Sequence, residues 1–378
     1  MPACNICNQP LGAPVYLSPQ PVSVTSLCEV LSGSTEVFHC ASCGHVQTTP
    51  MADLAAYYDK TYQILIASED EDQLYAIVDG QNIFRTGHQV QTLLHFVDIP
   101  RHARVLDFGC AKASTLRALC ERRPDVQAHT FDVSEMYRPF WDKFVPLENQ
   151  ATYQPKAEWR EHFDLVISFF AFEHMADPQA VLSQATALLR PGGTFYCVVP
   201  NLFTNIADFV VADHVNHFTE SSLQRLFAGA GLKIERITDA AHTGAWVCCA
   251  QKTALPVESG GENAAERVQE IASYWHGFGE RVREFESAHR GLAGAIYGSS
   301  FYGTFITTQM RRPESVTCYL DQNPHRQNQT LLGRPIVAPE RVSAEVRLIY
   351  VGLNPAHARA TIQTVTALPP ERYAFFHP

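Results

Sequence analysis

The stretch Arg104-Val-Leu-Asp-Phe-Gly-Cys-Ala-Lys112 constrains the fold of this chain more than any other. Val105, Leu106 and Phe108 read as a short buried strand, Gly109 opens a tight turn, and Ser114 to Glu121 carries a helical pattern. Asp107 stands where the strand gives way to the turn. Strand, glycine turn and helix in this order form the nucleotide-binding corner of a doubly wound α/β sheet, where ligands lie beyond the carboxyl ends of the strands. The open question is which nucleotide the corner accepts.

The flanking sequence repeats the same alternation. A helix is expected near Gln81 to Val97, then strands at Ala128 to Phe131 (ending at Asp132) and Phe163 to Phe170. A helix from Pro178 to Leu189 leads through a Pro191-Gly-Gly193 turn into a strand at Thr194 to Val199. A helix from Glu220 to Ala230 and strands at Leu232 to Ile237 and Ala245 to Ala250 complete the series. Strands separated by helices imply a mainly parallel sheet covered on both faces.

Two further segments flank this core. Before it, Cys4-x-x-Cys7 and Cys40-x-x-Cys43 form two knuckles separated by short β-branched pieces at Val15 to Leu17, Val22 to Val30 and Glu36 to His39. Two such knuckles can bring four thiolates to one tetrahedral zinc, and Gly44 permits the tight backbone a knuckle requires. The loop between them is long, so His39 and Cys28 compete as ligands. A full four-cysteine shell leaves no open position, so the expected zinc is structural. After the core, residues 253–261 read as a linker, followed by an amphipathic helix from about Ala264 to His289 and a second strand-turn-helix corner, Gly294-Ala-Ile-Tyr-Gly-Ser-Ser-Phe-Tyr-Gly303. Strands at Ser315 to Leu320, ending in Asp321, and Arg347 to Leu353 belong with it. The fold class is therefore α/β: a zinc-binding N-terminal module (1–70), a Rossmann-like core (71–255) and a second Rossmann-like C-terminal domain (256–378).

Composition narrows the function. A formal net charge of −10 argues against a nucleic-acid partner, whose phosphates need a basic face. No uncharged apolar run approaches the roughly 18 residues of a membrane span, and no secretory signal is visible at the start. Eleven cysteines, an odd number with several inside apolar runs, suit a reducing cytoplasm rather than a disulfide framework. A monomer or weak oligomer is expected.

A dinucleotide corner uses three glycines, two of them for pyrophosphate approach and helix packing. Here Ala111 and Ala113 occupy the later positions. Two methyl groups where a pyrophosphate would touch backbone argue against NAD. A ligand without phosphate at the turn tolerates them, and S-adenosylmethionine is such a ligand. Its ribose needs an acceptor at the end of the second strand, and Asp132 lies at close to the expected interval after Gly109. The plain alternative is that Asp107 and Asp132 only cap turns.

Val-Leu-Asp-Phe-Gly-Cys, Phe131-Asp-Val-Ser134, Phe163-Asp-Leu-Val-Ile-Ser168, Phe172-Glu-His-Met-Ala-Asp-Pro178 and Arg190-Pro-Gly-Gly-Thr-Phe195, in this order, resemble class I S-adenosylmethionine-dependent methyltransferases. With the zinc knuckles, Tyr297-Gly-Ser-Ser-Phe-Tyr-Gly303, Asp321-Gln-Asn-Pro324 and Gly333-Arg-Pro-Ile-Val-Ala-Pro-Glu340, the whole chain resembles the sugar 3-C-methyltransferases of deoxysugar pathways. The resemblance implies S-adenosylmethionine along Asp107, Gly109, Cys110, Lys112, Asp132 and Ser168, and a small-molecule substrate, a nucleotide-linked keto-deoxysugar. It implies that His214 acts as the base that removes a proton beside the ketone, with Asp213 hydrogen-bonding the substrate, His174 close to the reacting centre and Tyr62 as the N-terminal tyrosine. Histidine suits the task because its pKa lies near the working pH.

The chain departs from that pattern at Val211, where an aromatic hydroxyl is usual, at the short Asp213, and at Gln63-Ile-Leu-Ile-Ala67. Oxygen or nitrogen as acceptor therefore stays open, as does a binding protein with a decayed site. His217 is a second candidate substrate contact or a metal partner of His214. The Gly298 to Gly303 corner is open to NAD with Asp321 on its ribose, to a nucleotide-sugar wall, or to a purely structural role.

Overall fold

Seven strands carry the first corner: β1 (Arg104–Phe108), β2 (Gln127–Asp132), β3 (Gln150–Thr152), β4 (Phe163–Phe169), β5 (Leu189–Pro200), β6 (Leu232–Thr238) and β7 (Ala245–Lys252). In this computed structural model, which describes residues 2–255 and 264–378, they form one sheet in the order β3-β2-β1-β4-β5-β7-β6. The first five pair in parallel, while β7 runs antiparallel to both β5 and β6. The sheet is thus mainly parallel, as expected, with an antiparallel strand towards one end. Strand order reverses between β1 and β4, which opens a crevice at the ends of those two strands.

Side-chain alternation explains why both faces are apolar. Leu106, Phe108, Val166, Phe195, Cys197, Val199, Trp246 and Cys248 lie in one buried cluster with Leu182, Leu188, Leu223 and Phe227 of two helices, α3 (Pro178–Leu188) and α4 (Glu220–Gly229). Val105, Leu165, Ile167, Tyr196, Val198 and Val247 lie in another, with Leu93 of α1 (Arg85–Phe96) and Leu116 and Leu119 of α2 (Ser114–Arg122). Odd and even residues of each strand point to opposite faces. Cys4, Ile6, Leu11, Phe38 and Cys40 join the first cluster, so the cysteine knuckles pack on that face.

The chain divides into two compact units, Met1–Ala13 with Phe38–Thr204 and Asp213–Ala265, and Pro14–Val37 with Asn205–Ala212 and Glu266–Pro378. The second unit has its own sheet, built from β8 (Ala293–Tyr297), β9 (Val316–Leu320), β10 (Thr330–Leu331), β11 (Arg334–Val337), β12 (Val346–Val351) and β13 (Ala374–Phe376), in the order β10-β11-β9-β8-β12-β13. All neighbours are parallel except β10 and β11. The long helix runs Ala265–Ala288. Most of the expected linker, residues 256–261, lies outside the described residues.

Three local expectations need correction, and one strand was not foreseen. The helix expected from Gln81 starts at Arg85, because Leu74–Val78 and Gln81–Phe84 form a hairpin. Asp79 and Gly80 both have positive φ (50° and 76°), the two-residue Asp-Gly turn that joins twisted strands. Val22 to Val30 is a second hairpin, Val22–Val24 against Val30–Ser32. The Pro191-Gly-Gly193 turn is instead a bulge inside β5: Phe163 pairs with Leu189, but Leu165 pairs with Thr194. Strand β3 had no sequence signal, being three residues at the sheet edge.

Candidate functional site

The crevice between β1 and β4 is assembled by backbone bonds. Gly109 and Cys110 donate to the Phe131 carbonyl at 2.9 and 3.2 Å, and Ser168 Oγ donates to the Phe108 carbonyl at 2.8 Å. Gly109 has φ 72°, and a Cβ there would lie 2.9 Å from the Ala171 Cβ, so the turn fits only glycine. Ala111 and Ala113 also take left-handed conformations, with φ of 43° and 57°. The loop keeps the shape glycine would adopt, at a steric cost of about 1–2 kcal/mol per alanine.

Asp132 is buried, and its Oδ2 accepts the Ala111 N–H at 2.7 Å while Oδ1 accepts that of Ser134 at 3.2 Å. Burial raises its carboxyl to about 6, offset in part by these donors, so it is ionised at neutral pH. Burial, and then the Asp132 charge, push Asp107 further, to about 8. Burial thus disfavours ionisation of both carboxyls, of Asp107 more than of Asp132. Burial holds Cys110 well above the usual thiol range, so its side chain stays a neutral thiol.

A second cluster begins at the same crevice. Phe170 follows β4 with φ 52°, an uncommon conformation for a bulky residue, and leads through Ala171 into the single turn Phe172–His174. His174 Nδ1 lies 2.6 Å from Tyr58 Oη, 3.2 Å from the Asp213 carbonyl and 3.7 Å from the Asp213 carboxylate. Tyr58 donates its proton to the Asp213 carbonyl at 2.9 Å. The single Tyr58 hydroxyl proton can serve either the Asp213 carbonyl or His174 Nδ1, so the three groups share one hydrogen-bond network. The His214 ring stands edge-on to His174, with centroids 4.7 Å apart. Asp213 is fully buried and His214 nearly so.

The remaining expected residues fall in different places. Tyr62 puts its ring 5.5 Å from His174, but the close hydroxyl belongs to Tyr58, on the π-helical turn Tyr57–Thr61. The Lys112 ammonium is engaged by the carbonyls of Ser68 (2.9 Å) and Glu71 (2.8 Å). His217 bonds Thr48 at 2.7 Å, and the ligand-type cluster around His214 contains Glu173 and His174 in its place. Their donor atoms lie within 4.8 Å of one another, wider than a compact metal shell. Arg85 carried no sequence signal. Its guanidinium lies 3.9 Å from the Phe170 ring centroid and bonds Gln73, and the Glu173 and Asp72 charges act on it.

The four cysteines form a separate cluster. Sγ atoms of Cys4 and Cys43 are 3.6 Å apart, and those of Cys7 and Cys40 3.5 Å. That is too long for a disulfide and close to the roughly 3.8 Å edge of a tetrahedron with zinc–sulfur arms of about 2.3 Å. Asn8 (φ 59°) and Gly44 (φ 71°) follow the second cysteine of each knuckle in equivalent left-handed turns. Neither His39 nor Cys28 belongs to the cluster. In the second unit the corner glycines serve the protein's own backbone: a Cβ at Gly352 would lie 2.8 Å from Gly303 N, and Gly298 closes on Gly352. Asp321 accepts the N–H groups of Ser299 (3.0 Å) and Asn323 (2.8 Å).

Sheet order and corner together define a class I S-adenosylmethionine-dependent methyltransferase fold. Residues 83–237 match the methyltransferase domain family. A malonyl-[acyl-carrier protein] O-methyltransferase of Alcanivorax borkumensis is 32% identical over 140 residues, 35% of this chain and 44% of that protein. A ubiquinone biosynthesis O-methyltransferase of Chromobacterium violaceum is 29% identical over 131 residues, 30% of this chain and 53% of its own length. The chain thus spans about half the length of these curated relatives. A solved S-adenosylmethionine-dependent methyltransferase from Mesorhizobium loti is 14% identical, with a TM-score of 0.36 over 43% of this chain and 97% of its own. Among the described residues no helix is long and apolar enough to cross a membrane.

Proposed function

We propose that the chain transfers a methyl group from S-adenosylmethionine to the carbon beside a ketone in a nucleotide-linked keto-deoxysugar. The observation that carries this reading is the Tyr58–His174–Asp213 network with His214 beside it, at the mouth of the corner. The corner fits the donor: it has a glycine turn for close backbone approach, an ionised Asp132 for the ribose hydroxyls, and no phosphate cradle. Arg85 suits the donor's carboxylate, because its half-buried guanidinium, lying over Phe170 and bonded to Gln73, presents a planar fork that matches a carboxylate. Bound there, the donor supplies an electrophilic sulfonium methyl.

His214 would take the proton from the acceptor carbon, leaving an enolate whose carbon would bond the methyl as the methyl–sulfur bond breaks and its electron pair returns to sulfur. The buried Asp213 carboxylate offsets the charge that arises on the imidazole pair. Replacing His214 by Asn should leave donor affinity intact and abolish turnover, whereas retained turnover would refute the assignment. A second reading, methylation of oxygen, is favoured by the O-methyltransferase names of the relatives. Solvent deuterium exchange at the substrate carbon without donor separates the two, since only the carbon-acid route produces it. The proposal extends to a structural zinc on Cys4, Cys7, Cys40 and Cys43, to domains at 1–70, 71–255 and 256–378 with a Rossmann-like third domain, and to a cytoplasmic monomer or weak oligomer.

A further inference from the structure

Residues 57–72 hold the tyrosines that meet His174, yet they contribute little regular structure beyond one π-helical turn. Their place is set by bonds from the donor corner and the segment after β2. Ser134 Oγ donates to the Asp59 carbonyl at 2.8 Å, and Tyr137 Oη donates to that of Tyr62 at 3.0 Å. Arg117 of α2 and Lys143 both reach the Glu69 carboxylate. Lys112 makes the attachment that comes from the corner loop itself: it is buried, and its ammonium joins the Ser68 and Glu71 carbonyls. An ammonium is a costly group to bury, so a buried one that donates to two carbonyls holds them firmly.

We propose that Lys112 is a positioning residue for the methyl-transfer site, clasping the 57–72 strap to the donor corner and thereby setting Tyr58 against His174. The inference rests on the methyl-transfer reading for its purpose, but its test needs neither donor nor turnover. The strap links two sites that the loop sequence Cys-Ala-Lys-Ala would otherwise leave independent.

The test uses the full chain with labelled histidine, following the His174 imidazole by NMR (assigned with His174→Asn) and hydrogen exchange of residues 57–72. Tyr58→Phe removes the hydroxyl and should move the His174 titration. Lys112→Met should move it in the same direction and speed strap exchange at least tenfold, and the double variant should resemble Tyr58→Phe alone. Glu69→Gln, a surface change that leaves the core intact, should give a smaller effect of the same kind, which keeps the test open if Lys112→Met folds poorly. An unmoved His174 signal in Lys112→Met, or shifts that add in the double variant, would overturn the inference. Failure of the wild type to bind S-adenosylmethionine would instead remove the methyl-transfer reading and leave the clasp standing.

Discussion

Asp107→Asn tests the electrostatics of the corner directly. The wild-type carboxyl is pushed from 3.8 to about 8, first by burial and then by Asp132. An acid whose folded pKa is raised binds a proton on folding, so its contribution is most favourable below the unfolded pKa. It is lost as pH rises towards 8, because the unfolded chain then gains by ionising while the folded one does not. At pH 7 the window covers about 3 units, and at roughly 1.4 kcal/mol per unit the handicap is about 4 kcal/mol. Asparagine has the same shape and does not titrate. Set against it is about 1–3 kcal/mol if its extra N–H finds no acceptor. Urea unfolding of both proteins at pH 5, 6, 7 and 8 should therefore show the variant gaining on the wild type by about 1.4 kcal/mol per pH unit. Any slope from Asp132, present in both, cancels in the difference. A difference that stays constant from pH 5 to 8 would refute the assignment of a neutral Asp107.

Three other outcomes follow from the geometry. Arg85→Met should weaken S-adenosylmethionine binding by about ten- to a hundredfold, the worth of a hydrogen bond between charged groups, with thermal stability retained; calorimetric titration measures it. Gly109→Ala should cost about 1–2 kcal/mol for the left-handed backbone alone, and more from the Ala171 clash, seen as a lower melting temperature and lost donor binding. The purified chain should carry one zinc per molecule by elemental analysis, and chelation or Cys40→Ser should lower its melting temperature, since a metal there would fasten Cys4 and Cys40 into the apolar cluster that α3 and α4 share.

Much of the first unit was legible because its signals are local. Val105, Leu106 and Phe108 specify a buried strand by themselves, and Gly109 specifies the turn. The paired cysteines indicate a cluster whatever lies between them. The Asp79-Gly80 hairpin was also written in the sequence, but the helical pattern that follows obscured it. Arg85, Glu173 and Tyr58 were not legible, because each matters through neighbours distant in sequence. Tyr58 and Tyr62 are equally plausible on an aromatic run, and only the π-helical turn decides which hydroxyl meets His174.

The corner loop divides the two kinds of information. Its residue types alone argue for a phosphate-free ligand, since Ala111 and Ala113 place methyl groups where a pyrophosphate would need bare backbone. That both alanines adopt glycine-like φ, that Asp132 is held by Ala111 and Ser134, and that Lys112 turns to the Ser68 and Glu71 carbonyls were decided only when β1, β2 and the strap came together. Composition and spacing determine which groups are available to the site. Burial and long-range contact determine their charge and direction, because a carboxyl or an ammonium acquires its working state from what surrounds it.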